Sequence, residues 1–133
     1  MRTVRVLGVV LALAGCAWFV IGIRQAHDTA AAGAIVSGPL PLTAAQAAHA
    51  RSLLHTAGQL NPDTQVDLLR AQLDRQRGDG AAARATIRKV LRDEPRNVRA
   101  WFALARSEGS DPRMFLLALG HIRALMPRVP PPR

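Results

Sequence analysis

Two kinds of hydrophobic order run along this chain of 133 residues. From Val6 to Ile23 apolar residues and glycines follow one another without a charge, whereas from Thr43 onward apolar positions recur every three or four residues between polar ones. The first block is 18 residues long. At about 1.5 Å per residue, a helix of that length covers roughly 27 Å, close to the hydrocarbon thickness of a bilayer. Such a helix offers water no polar face, but in lipid it satisfies its own backbone. A transmembrane signal-anchor helix is therefore expected over 6–23. Arg2 and Arg5 precede it, while Arg24, opposed by Asp28, follows it. That asymmetry puts residues 1–5 in the cytoplasm and the rest outside, as a single-pass protein of the cell membrane.

Within this block Leu13-Ala14-Gly15-Cys16 resembles the bacterial lipobox, which makes lipidation at Cys16, with loss of the preceding residues, the alternative processing. Hydrophobicity continues beyond the cysteine through Ala17 to Ile23, where lipoproteins usually turn polar, so the uncleaved anchor is favoured. Between Arg24 and Leu42 the sequence is rich in Ala, with Gly33, Ser37, Gly38, Pro39 and Pro41. Glycine and proline at that density mark a linker over 24–42, its first part able to prolong the preceding helix.

The rest reads as helices. Ala50, Leu53, Leu54, Ala57 and Leu60 form one stripe, Ala83, Ile87, Val90 and Leu91 a second, and Phe115, Ala118, Leu119, Ile122 and Leu125 a third. Spacings of three and four place each set on one helical face that needs neighbours to bury it. Thr43 with Gln46 has capping-box spacing, Asp63 or Thr64 and Asn97 suit N-caps, and Asp111-Pro112 supplies a cap and a first-turn proline. Five helices follow, near 43–59, 64–77, 81–93, 98–109 and 112–126, with a break at Gly78-Asp79-Gly80 and a Pro-rich tail over 127–133.

Composition agrees with an all-α fold. Tyrosine is absent and phenylalanine occurs three times, whereas strands are normally filled by aromatic and β-branched residues. One cysteine excludes an internal disulfide framework. The formal net charge is +9. All but one of the basic residues are arginine, alongside abundant Ala, Gly and Pro, so much of the excess follows from a GC-rich coding composition, and no nucleic-acid partner is expected. His27, His49, His55 and His121 are scattered, the serines lack an activating context, and no glycine-rich phosphate loop is present. We expect no enzyme, no cofactor and no metal.

Pro62, Pro95 and Pro127, each following one of these helical stripes, stand 33 and 32 residues apart. Gly78-Asp79, Ala83, Ile87, Leu91 and Pro95, followed by Trp101, Leu104 and Ala105, resemble the tetratricopeptide repeat, and Ala50, Leu54, Ala57 and Pro62 fit the second helix of a preceding unit. Arg70 and Asp74 stand where that pattern has Leu and Tyr. The resemblance implies a short array of helical hairpins of two and a half units over 43–126 that binds a protein or peptide. It also implies a partner-binding groove on the first helix of each unit, at Gln65, Leu68, Gln72, Arg99, Phe102 and Arg106. Two arginines flanking an aromatic suit a carboxylate or an acidic peptide.

The sequence thus points to a membrane-anchored scaffold for protein-protein interaction in a bacterial cell-envelope complex, with homo-oligomerisation open through Met114, Phe115 or Leu117. The alternative is a module that holds an anionic polymer or lipid on the basic helix face of Arg84, Arg88, Lys89, Arg92 and Arg96.

Overall fold

The computed structural model describes residues 2–60, 63–107 and 111–126, and among them all regular structure is α-helix. The elements are α1 (Arg2–Val36), α2 (Ala44–Leu60), α3 (Thr64–Gln76), α4 (Gly80–Asp93), α5 (Val98–Ser107) and α6 (Pro112–Leu125). Pro62, Pro127, the tail and residues 108–110 lie outside the described residues.

Side chains fix the helix starts by accepting from N–H groups that have no partner within the helix. Gln46 N–H donates to Thr43 Oγ1 at 3.2 Å while Thr43 N–H donates to Gln46 Oε1 at 2.9 Å, a reciprocal capping box at the head of α2. Asp63, Asp79, Asn97 and Asp111 open α3 to α6 in the same way, and Pro112 occupies the first turn of α6. The end of α3 is equally defined. Gly78 adopts a φ of 86°, its N–H donates to Arg75 O at 3.0 Å, and Asp79 N–H donates to Asp74 O at 2.9 Å. This is a Schellman closure, which favours glycine because a Cβ is unfavourable at positive φ.

The helices pack as three antiparallel hairpins, α1 with α2, α3 with α4 and α5 with α6. Successive hairpins meet through α2 against α3 and α4 against α5, and the first helices α1, α3 and α5 lie side by side. One buried cluster joins Ala32 and Val36 of α1, Ala47, Ala50, Leu54 and Ala57 of α2, and Val66 and Leu73 of α3. The other joins Ala71 of α3 to Ala83 and Ile87, Trp101, Leu104 and Ala105, and Ala118 and Ile122. Trp101 ties its region together: its Nε1 donates to Pro95 O at 2.8 Å, and its ring stacks on His121 at 4.0 Å.

Two expectations change. The stretch 24–42, read as a spacer, is helical as far as Val36, and its upper part is packed, with Ala32 and Val36 essentially inaccessible. The reason lies in small side chains. Ala32, beside Val36 on α1, meets Ala47, Ala50 and Ala57, beside Leu54 on α2, so small side chains make up much of the contact, and alanine is the best helix former. The upper part of α1 is therefore the first helix of a complete first hairpin, and the array contains three pairs instead of two and a half. On α6, the buried face runs through Ala118 and Ile122 with Met114 and Leu125 packed beside them, while Phe115 and Leu119 are exposed.

Candidate functional site

The first helices of the hairpins present α3 and α5 to a common cleft of about 400 Å³. Gln65, Leu68 and Gln72 of α3 and Arg99, Phe102 and Arg106 of α5 all line it, so the structure brings the six expected groove positions together. Leu69, Ala71, Ile87 and Ala103 complete its apolar surface, and Arg75 adds a third guanidinium. Arg75 follows Gln72 by three residues, the spacing that would have placed it on this face. The lining contains three arginines and no carboxylate. Phe102 is 42% exposed, a large aromatic surface left to solvent between Arg99 and Arg106.

Local packing explains why these side chains stand where they do. α3 is buried on two sides, by Val66 and Leu73 towards the first cluster and by Ala71, with Leu68, towards the second, which leaves the Gln65, Gln72 and Arg75 edge for the cleft. Gln72 is committed further. Its Nε2 donates to Val36 O at 3.2 Å, and Gln76 Nε2 donates to the same carbonyl at 2.7 Å. Two amides thus satisfy the C-terminal end of α1, and one of them belongs to the groove. Arg70, at an apolar position of the repeat pattern, lies across Gly58 and donates to Leu54 O at 2.9 Å and to Asp67 Oδ1 at 3.0 Å. A Cβ at Gly58 would collide with that guanidinium.

The basic stripe is less available than its spacing suggests. Lys89 Nζ lies 3.6 Å from Asp67 Oδ2, Arg84 is partly buried, and Arg84 and Arg88 both make interactions of their own. Arg92 and Arg96 are exposed. Asp74, on α3, has a pKa raised above the usual carboxylate range chiefly by burial, with nearby Arg51 opposing the rise and Asp79 adding to it. His27 Nδ1 is 3.9 Å from Asp28, His49 and His55 are exposed on α2, and His121 serves the Trp101 stack. Among the described residues, no three His, Cys, Asp or Glu side chains come together as a metal site.

Below the array, α1 is exposed from Val10 through Ile23, with Trp18 and Phe19 at 76% and 72%, and Cys16 is exposed with them. By length and hydropathy the stretch Val10–Val36 is sufficient to cross a membrane. Its upper end packs against protein, with Ala32 and Val36 buried, whereas the stretch up to Ile23 is exposed from Val10 on.

Residues 64–107, which contain α3, α4 and α5, match the family model for the tetratricopeptide repeat. None of the curated proteins and none of the solved structures matches the chain. Stacked hairpins of this kind present concave surfaces that hold other proteins. The stretch 64–107 is thus similar to the tetratricopeptide repeat, within a chain whose described regular structure is all α-helix and whose first helix is long and apolar enough to span a membrane.

Proposed function

We propose that this protein is a single-pass, membrane-anchored adaptor in a bacterial cell envelope, with its N-terminus in the cytoplasm and its array outside, where the groove holds a carboxylate-bearing segment of a protein partner. The observation that carries the reading is the cleft between α3 and α5: three arginines and one exposed phenylalanine converge there without a counter-charge among the lining residues. Guanidinium forks pair with carboxylates, and a half-exposed aromatic beside them supplies apolar contact area. Arg2 and Arg5 before the apolar stretch, against the offset Arg24 and Asp28 after it, support the orientation.

The test is photo-crosslinking from position 102 in intact cells. A protein partner is expected in the adduct. Arg99→Ala and Phe102→Ala, measured separately by capture from solubilised membranes, are each expected to weaken retention by about tenfold or more, as hot-spot positions do. Unchanged capture with both variants would remove the groove from the function. Attachment of an anionic polymer through Arg84, Arg88, Lys89, Arg92 and Arg96 is the competing reading. It loses support from the pairing of Lys89 with Asp67, and would be revealed by binding that disappears as salt is raised, because exposed charges are screened first.

A further inference from the structure

α1 passes from its lipid-facing part into the array as one uninterrupted helix, so helix geometry sets the height of the groove above the bilayer. α3 runs parallel to the upper part of α1. Leu69 packs beside Gly33, its methyl carbons 3.9 Å from the Cβ position there, while Gln72 and Gln76, 36 and 40 residues after Val36, both reach its carbonyl. Gln65 therefore stands level with the turn of α1 soon after Arg24, and Arg75 stands level with its end. At about 1.5 Å per residue, the cleft extends from roughly 5 to roughly 20 Å above Ile23.

We propose that the groove receives the acidic juxtamembrane segment of a second membrane-embedded protein. The proposal rests on the anchored-scaffold reading and adds where the partner is rooted. An extended chain rising about 3.3 Å per residue covers the height of the cleft within roughly six residues of leaving the bilayer. Arg99, at the start of α5, lies towards the membrane, and Arg75 and Arg106, at the ends of α3 and α5, lie away from it, with Phe102 between. That order suits a segment with carboxylates at two heights and an apolar side chain between them. A segment rooted in the same bilayer meets the groove at an effective concentration that a free peptide lacks. The double cap on Val36 and the buried Ala32 keep the groove beside the partner's exit point instead of letting it swing away.

The full-length protein, carrying a photo-crosslinker at position 102, would be placed in phosphatidylcholine vesicles with synthetic single-span peptides. In the first peptide, about six residues alternating Glu and Leu emerge directly from the span. In the second, a flexible Gly-Ser spacer of about twenty residues intervenes. The third is the acidic segment free in solution, and the fourth replaces Glu by Lys. The directly rooted acidic peptide is expected to crosslink at least about tenfold more than the free one, with the spacer peptide between them. Arg99→Ala should reduce that crosslink while leaving the far-UV circular dichroism unchanged. Equal crosslinking of rooted, spaced and free acidic peptides would overturn the membrane-rooted partner and leave the groove reading intact. Equal crosslinking of Glu and Lys peptides would overturn its acidic chemistry. If no peptide reacts while position 102 still captures a protein in cells, the proposal falls and the scaffold stands.

Discussion

At Gly78 the chain turns from α3 into α4 through a positive φ, and nothing lies within 4 Å of a Cβ built there. Replacement by alanine meets no wall, only the left-handed backbone penalty of about 1 to 2 kcal/mol. Gly78→Ala is expected to lower the unfolding free energy by that amount, seen as a lower thermal midpoint, while leaving the helical content at low temperature unchanged. Asp74, one turn earlier, is a different liability. Burial raises its folded pKa above its unfolded value, so stability is highest where the carboxyl is protonated in both states and is lost as pH rises through the folded pKa. Asp74→Asn should therefore gain on the parent protein as pH climbs through the carboxylate range, read from urea midpoints at successive pH values. A difference independent of pH would show that the carboxyl ionises as easily folded as unfolded. Arg51→Ala should enlarge the parent's loss, because Arg51 is the charge opposing the shift.

Among the elements, α1 is the one that joins an exposed apolar stretch to the packed array as a single helix. Spin labels on Cys16, the chain's sole cysteine, and on Cys introduced by Ala85→Cys on the exposed face of α4 are expected to give one narrow distance distribution in vesicles. A Gly-Ser insertion after Arg24 should broaden it, and a broad distribution without the insertion would place a hinge at the membrane boundary. How much of this was legible differs from helix to helix. Thr43 with Gln46, Asp63, Asn97 and Asp111-Pro112 announce helix starts because capping is local, and the structure uses every one of them. Gln65, Leu68, Gln72, Arg99, Phe102 and Arg106, implied by the family resemblance, share one cleft because hairpin register sets which face of α3 and α5 turns inward. The upper half of α1 was not legible, since its buried positions are only Ala32 and Val36, too few large residues to stand out as a stripe in an Ala-rich stretch bounded by glycines and prolines. α3 conceals its role for another reason: Val66 and Leu73 point to one cluster and Ala71 to the other, so its hydrophobicity has no single direction. On α6, Phe115 and Leu119 fit the periodicity as well as Met114 and Ala118 do, and only tertiary packing selects between those stripes.

For the molecule as a whole, the +9 net charge is not spread evenly in its consequences. Lys89 is drawn to Asp67, Arg70 bonds Leu54 O and Asp67, and the guanidiniums of the cleft are the ones gathered around an apolar floor. A complex held there should survive moderate salt better than one held on α4, because its charges are partly desolvated by the partner. The packing of α1 into the first hairpin also decides where the protein can be cut. A fragment beginning after Leu42 strips Ala32 and Val36 from the first cluster, leaving Leu54, Val66 and Leu73 partly bare and α2 without its mate. Excision after Ile23 instead keeps all three hairpins whole. The longer fragment should therefore be the well-behaved one in water, and the shorter should clump or melt early, even though it retains every residue of the matched repeat.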